Sequence, residues 1–143
     1  MTTEEIIEGN KLIAEFMGFQ KCNCIRNENG RYYDYYLSDK FELIKEVKIC
    51  IEGEHGFGLE NQDMCFIEDL KFHSSYDWIM PVVEKIEQLL FPNDVFYNIH
   101  ILGGCCVCII SSDMDELGQY SEPTKILTVF KAVVEFIKWY NEQ

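Results

Sequence analysis

The stretch HSSYDWIMPVVEKIEQLL, residues 73–90, decides how the rest of the chain is read. Ile79, Val82, Val83, Ile86, Leu89 and Leu90 recur at helical spacing on one face, while Glu84, Lys85, Glu87 and Gln88 fall on the other. Ser74, Ser75 or Asp77 supplies a cap. Pro81 is compatible with a helix that begins just before it, since proline has no amide hydrogen to donate. Strand-like sequence lies on both sides. The helix is therefore expected to pack across a sheet, with Ile79, Val82, Val83, Ile86 and Leu90 buried.

Toward the N-terminus, residues 2–17 form another helical pattern, with Thr2 and Glu5 at capping-box spacing and Gly18 placed to end it. Gly9 shares an apolar stripe with Ile6, Leu12, Ile13, Phe16 and Met17. Glycine costs about 1 kcal/mol of helix propensity against alanine, and close packing on a neighbour would explain it. Residues 21–37 read as a hairpin turning at Asn29-Gly30, which sets Arg26 opposite Tyr33, Cys24 opposite Tyr35 and Cys22 opposite Leu37. Residues 47–51 alternate as a strand, residues 53–63 form a polar, glycine-rich loop, and residues 64–72 read as a further strand.

Toward the C-terminus, residues 95–102 and 105–110 are strands joined by a two-residue turn at Gly103-Gly104. That register gathers Ile99, Ile101, Cys106 and Cys108 on the core face and puts His100 on the opposite face from Cys108. A slip of one residue would exchange the two sets. Residues 111–120 read as a polar connection. Ser121 and Pro123 start a last helix that runs to about Asn141. It is apolar over most of its circumference, so either other helices flank it or part of it serves an oligomer interface. This order predicts a single α+β domain over residues 1–143. The expected architecture is a two-layer sandwich, a mostly antiparallel sheet with three helices packed mainly on one face. A chain of 143 residues that is 48% hydrophobic can bury one core without staples.

The formal net charge of −13 argues against binding nucleic acid through its phosphates, which requires a basic surface. It suits a basic protein partner, or simply keeps the chain soluble. No apolar run reaches membrane-spanning length, and the opening MTTEEIIEGN lacks the order of a signal peptide, so a cytoplasmic protein is expected. The seven cysteines are odd in number and several lie within apolar runs. They read as reduced core thiols rather than a disulfide framework.

Each candidate for chemistry stands beside a plainer reading. Cys22-x-Cys24 with Cys105, Cys106 and Cys108 could surround zinc, but Cys106-Val107-Cys108 continues an apolar strand, where buried thiols are ordinary. His100 with Cys108 would be a base and nucleophile, though the expected register separates them. His73, Ser74, Ser75 and Asp77 have the residue types of a hydrolase triad, yet triads converge from separate segments and helix capping explains most of these residues. Asp113-x-Asp115 with Gly118 resembles a calcium loop, but Leu117 and Thr124 stand where ligands belong. GEHGFG, residues 53–58, lacks the lysine of a phosphate loop. What remains is a contact surface at Tyr32, Tyr36, His55 and Phe57, with no catalytic, cofactor or metal residue assigned.

Three segments, EEIIEGNKLIAEFMG, SYDWIMPVVEKIE and AVVEFIKWYN, together resemble a family of small uncharacterised proteins of Bacteroides-type gut bacteria and their phages and mobile elements. The resemblance implies an intracellular bacterial or phage setting and an accessory role, and it carries over no functional residue. The expected function is thus a non-catalytic, acidic interaction protein that binds another protein. The alternative is a small-molecule-binding domain or enzyme with a pocket near the loop of residues 53–63. A homodimer through the last helix is a further expectation of its broad apolar stripe.

Overall fold

The computed structural model describes residues 1–18, 20–26, 31–37, 64–66 and 70–143, the three short central segments by their backbone. The chain divides into two compact units, Ala14–Leu70 and Met1–Ile13 with Lys71–Gln143. Both contain antiparallel sheet, and with three helices the fold is α+β.

In the first unit, β1 (Gln20–Arg26), β2 (Arg31–Leu37) and β3 (Met64–Phe66) form a three-stranded sheet in that order. The hairpin exists, but its register differs by two residues from the expected one. Cys22 lies opposite Tyr35, Cys24 opposite Tyr33 and Arg26 opposite Arg31. Four residues, 27–30, separate the last pair, where a two-residue turn leaves only Asn29 and Gly30. The strand expected over 64–72 does not reach its expected end: β3 covers Met64–Phe66, and Phe72–Ser74 form a turn. The strand expected at 47–51 and the loop at 53–63 lie outside the described residues.

The second unit holds α1 (Thr3–Phe16) through Ile13, α2 (Tyr76–Glu87), the sheet β4 (Tyr97–Ile101), β5 (Cys106–Ser111) and β6 (Glu116–Ser121), and α3 (Lys125–Asn141). The helix α1 starts on a capping box: the Thr2 amide donates to Glu5 Oε2 at 2.7 Å and the Glu5 amide to Thr2 Oγ1 at 3.2 Å. That amide bond, with help from Lys131, holds the Glu5 carboxyl below its ordinary value. Gly18, at φ +85°, ends the helix in the left-handed conformation that glycine adopts without strain. Gly9 is where α1 meets α3. A Cβ there would stand 2.6 Å from the Phe130 ring and 2.9 Å from Val134, so the helices approach on the absent side chain.

The α2 stripe buries Trp78, Ile79, Val82, Val83 and Ile86. Leu90 does not join it. The helix ends at Glu87, Gln88 caps it, and the chain turns away, leaving Leu90 69% exposed. Ser75 occupies the N-cap position in extended backbone, but its side chain makes no capping bond, so the expected hydroxyl cap is absent. Pro81 sits inside the helix rather than at its start, and the amide hydrogen it lacks leaves one carbonyl in the exposed first turn without its helical partner.

The helix α3 begins at Lys125 rather than near Ser121. Thr124 is its N-cap, accepting from the Leu127 amide at 3.4 Å, and Pro123 precedes the cap. Most of its apolar circumference is core. Thr128, Val129, Phe130, Ala132, Val133, Val134, Phe136 and Ile137 are buried within the chain against β5, β6, α2 and α1. The sheet is antiparallel, with β5 in the middle. Residues 116–120, read from sequence as part of a connection, form a strand together with Ser121, expected at the start of the last helix. β6 is an edge strand whose exposed Glu116, Gln119 and Ser121 hide the apolar alternation that marks a buried one. The opposite edge is partly sealed by Glu87, whose Oε1 accepts from the Ile99 amide at 3.0 Å.

Candidate functional site

The β4–β5 turn decides which side chains share a face. Gly104 (φ +66°) and Cys105 (φ +55°) are both left-handed, and the Leu102 amide donates to the Cys106 carbonyl. The loop therefore holds three residues, not two. The ladder slips by one: Ile99 opposes Ile109, Ile101 opposes Val107, and His100 opposes Cys108. The expected core face of Ile99, Ile101, Cys106 and Cys108 is thereby corrected. The helix-facing side carries Tyr97, Ile99, Val107 and Ile109, with Tyr97 5.7 Å from the Phe136 ring. Asn98, His100, Cys106 and Cys108 lie on the other side.

His100 and Cys108 thus meet across the ladder, against expectation, but they do not make a nucleophile. Burial pushes the Cys108 thiol up, and Cys106 and Glu116 push it further, whereas an activated thiol needs a positive neighbour. Gln119 Nε2 donates to Cys106 Sγ at 3.0 Å, and Cys105 turns its sulfur toward the Pro123 carbonyl, at 3.9 Å. Among the described residues, no three His, Cys, Asp or Glu side chains converge on one metal position. Cys22 and Cys24 lie on β1, placed by their backbone.

The serine and aspartate beside His73 are not gathered around it. Ser74 and Asp77 are exposed. His73 Nδ1 instead accepts from Asn10 Nδ2 at 3.0 Å, and its ring meets Phe130 edge-on at 6.0 Å. Burial holds the imidazole below its ordinary value, so the neutral ring belongs to the packing between α1 and α3. Asp113 and Asp115 lie in the β5–β6 turn, where the Asp115 amide and carbonyl both bond to Ser111. The chain then enters β6, and Thr124 caps α3, so the calcium spacing is not a loop around one ion. Tyr32 and Tyr36 lie on β2, with Tyr32 opposite Ile25 and Tyr36 opposite Lys21 and Cys65. His55 and Phe57 lie outside the described residues.

A different region stands out physically. Three segments converge at the end of the sheet where β4 begins and β5 finishes. Phe91 pairs with Val95 around Pro92–Asp94, and its ring packs 6.0 Å from Tyr140 and 5.6 Å from Trp139 near the end of α3. Phe96 is locked to the β5–β6 turn: its carbonyl accepts from the Ser112 amide at 2.8 Å, and its amide donates to Ser112 Oγ at 3.3 Å. At the tip of that turn is Met114, 80% exposed and left-handed at φ +67°. Leu90, Phe96 and Tyr140 are also exposed. Around them Asp94, Asp113, Asp115, Glu116 and Glu142 are exposed, and residues 88–96, 111–116 and 139–143 contain no lysine or arginine.

Little in the sequence marks this end, since Met114 lies in the mostly polar stretch SSDMDELGQY. Its placement between two aspartates was the available signal. Among the described residues, no helix is long and apolar enough to cross a membrane. Compared with known proteins, the chain matches no family model, no curated protein and no solved structure.

Proposed function

We propose that this chain is a non-catalytic accessory protein, of a bacterium or phage, that binds another protein through the end carrying Leu90, Phe96, Met114 and Tyr140. The observation that carries the reading is Met114. A flexible apolar side chain gains nothing from near-complete exposure, and a left-handed backbone costs about 1–2 kcal/mol for a residue with a Cβ. Strain of this kind concentrates where a surface is used, and methionine suits an adaptable contact. The surrounding acids define the partner as a basic segment with an apolar anchor. A second copy fits less well, because two such ends would face each other with like charge.

Selection from a random peptide display library against the immobilised protein tests this. Peptides combining lysine or arginine with aliphatic or aromatic anchors are expected to enrich, and to be lost on a Leu90→Asp/Met114→Asp variant. Failure to enrich such peptides, or enrichment that the variant leaves intact, would overturn the proposal.

A further inference from the structure

The outer side of β5 carries two cysteines that the binding end does not use. Cys106 and Cys108 are two residues apart on the central strand, so their side chains leave the same face of the sheet. Cys108 is 7% exposed and Cys106 half-buried. His100 and Gln119 flank Cys108 from the two neighbouring strands, and Gln119 orients the Cys106 sulfur through its amide.

A disulfide is the wrong product for this geometry. Residues two apart on a strand have Cα atoms roughly 6.6 Å apart with parallel Cβ directions, at the limit of what a disulfide spans. Tetrahedral zinc is equally unsuited, because it takes four ligands and no third metal-binding side chain converges among the described residues. A pair of thiols held side by side suits an ion content with two. Two metal–sulfur bonds of roughly 2.3 Å laid end to end span about 4.6 Å, a separation that inward χ1 rotation of parallel strand neighbours can reach. Soft thiolate donors select soft d10 ions.

We propose that Cys106 and Cys108 form a two-coordinate site for a soft monovalent cation of the Cu(I) class on the face of β5 opposite Val107 and Ile109. Binding replaces the two S–H protons with two S–metal bonds and releases both protons to solvent, leaving a bis-thiolate complex of charge −1. Because binding displaces two protons, affinity rises with pH.

The test is anaerobic titration of the reduced protein with Cu(I) against a competing chromogenic chelator. A variant in which Cys22, Cys24, Cys50, Cys65 and Cys105 are serine is expected to take one Cu(I) per chain, with X-ray absorption showing two sulfur ligands. In the otherwise wild-type protein, Cys106→Ser or Cys108→Ser is expected to remove one tight equivalent. Outer-shell groups at metal sites are worth about 10–100-fold, so loss of a ligand should weaken this equivalent by more than about 100-fold. His100→Ala and Cys105→Ser should leave it in place. If wild type and the Cys106→Ser/Cys108→Ser variant bind Cu(I) with the same stoichiometry and affinity, the site does not exist. Should the five-serine variant fold poorly, that paired comparison decides alone.

Discussion

Gly9 of α1 lies against the ring of Phe130 on α3, so closely that a single added carbon would stand 2.6 Å from it. Helix propensity alone favours Gly9→Ala by about 1 kcal/mol, but Phe130 and Val134 are buried and must give way. Overpacking costs roughly 1–3 kcal/mol, so net destabilisation is expected in a urea melt. In a Phe130→Leu background the penalty should shrink, since the two positions share one contact.

The hydroxyl of Thr128 is fully buried and sits at the junction of the β4–β5 turn and the start of α3. It accepts from the Glu122 amide at 3.1 Å and has the Thr124 and Cys105 carbonyls at 2.9 and 3.1 Å as acceptors for its one proton. Thr128→Val keeps the shape and orphans the amide, with an expected loss of about 1–3 kcal/mol. Thr128→Ser should lose less.

His73 links stability to pH. Its folded value lies below the ordinary imidazole 6.5 because burial disfavours the cation. The unfolded chain therefore binds more protons near and below that value, and stability rises with pH there. Its contribution is full above pH 6.5 and is lost as pH falls through the folded value. Comparing melts of wild type and His73→Gln from neutral to mildly acidic pH checks this. The wild-type excess loss on acidification should vanish in the variant.

Val83 on α2 is buried, and Val83→Asp would place an unpaired carboxylate in the core. Loss of cooperative thermal unfolding is expected. A soluble, cooperatively melting Val83→Asp protein would mean that the helix face has been misassigned.

How much of this was legible depended on whether a feature is set by side-chain pattern or by one backbone angle. The capping box of Thr2 and Glu5, the tight contact at Gly9 and the α2 stripe as far as Ile86 are pattern features, and each is present as read. The β4–β5 register was not legible. Gly103-Gly104 marks a turn, but whether two or three residues form it depends on Cys105 taking positive φ, which a cysteine seldom does. That one angle moved His100 beside Cys108. β6 was missed because a polar edge strand carries no strong period, and Leu90 was misplaced because α2 ends one turn earlier than its apolar run. Met114 escaped notice because exposure and backbone strain are not written in residue type.

Met114 carries the functional claim, and its backbone makes the claim separable from stability. Asparagine and aspartate tolerate the left-handed region better than methionine, so Met114→Asp should not lower the melting temperature. The most direct measurement is therefore a titration of wild type and Met114→Asp with a selected basic peptide, at low and high salt, with a melt of each protein. Loss of an anchoring contact should weaken binding by more than about tenfold, at unchanged or higher melting temperature. Wild-type affinity should also fall as salt screens the surrounding acids. Equal affinity for the two proteins, or affinity indifferent to salt, would contradict the assignment of this end as the binding surface.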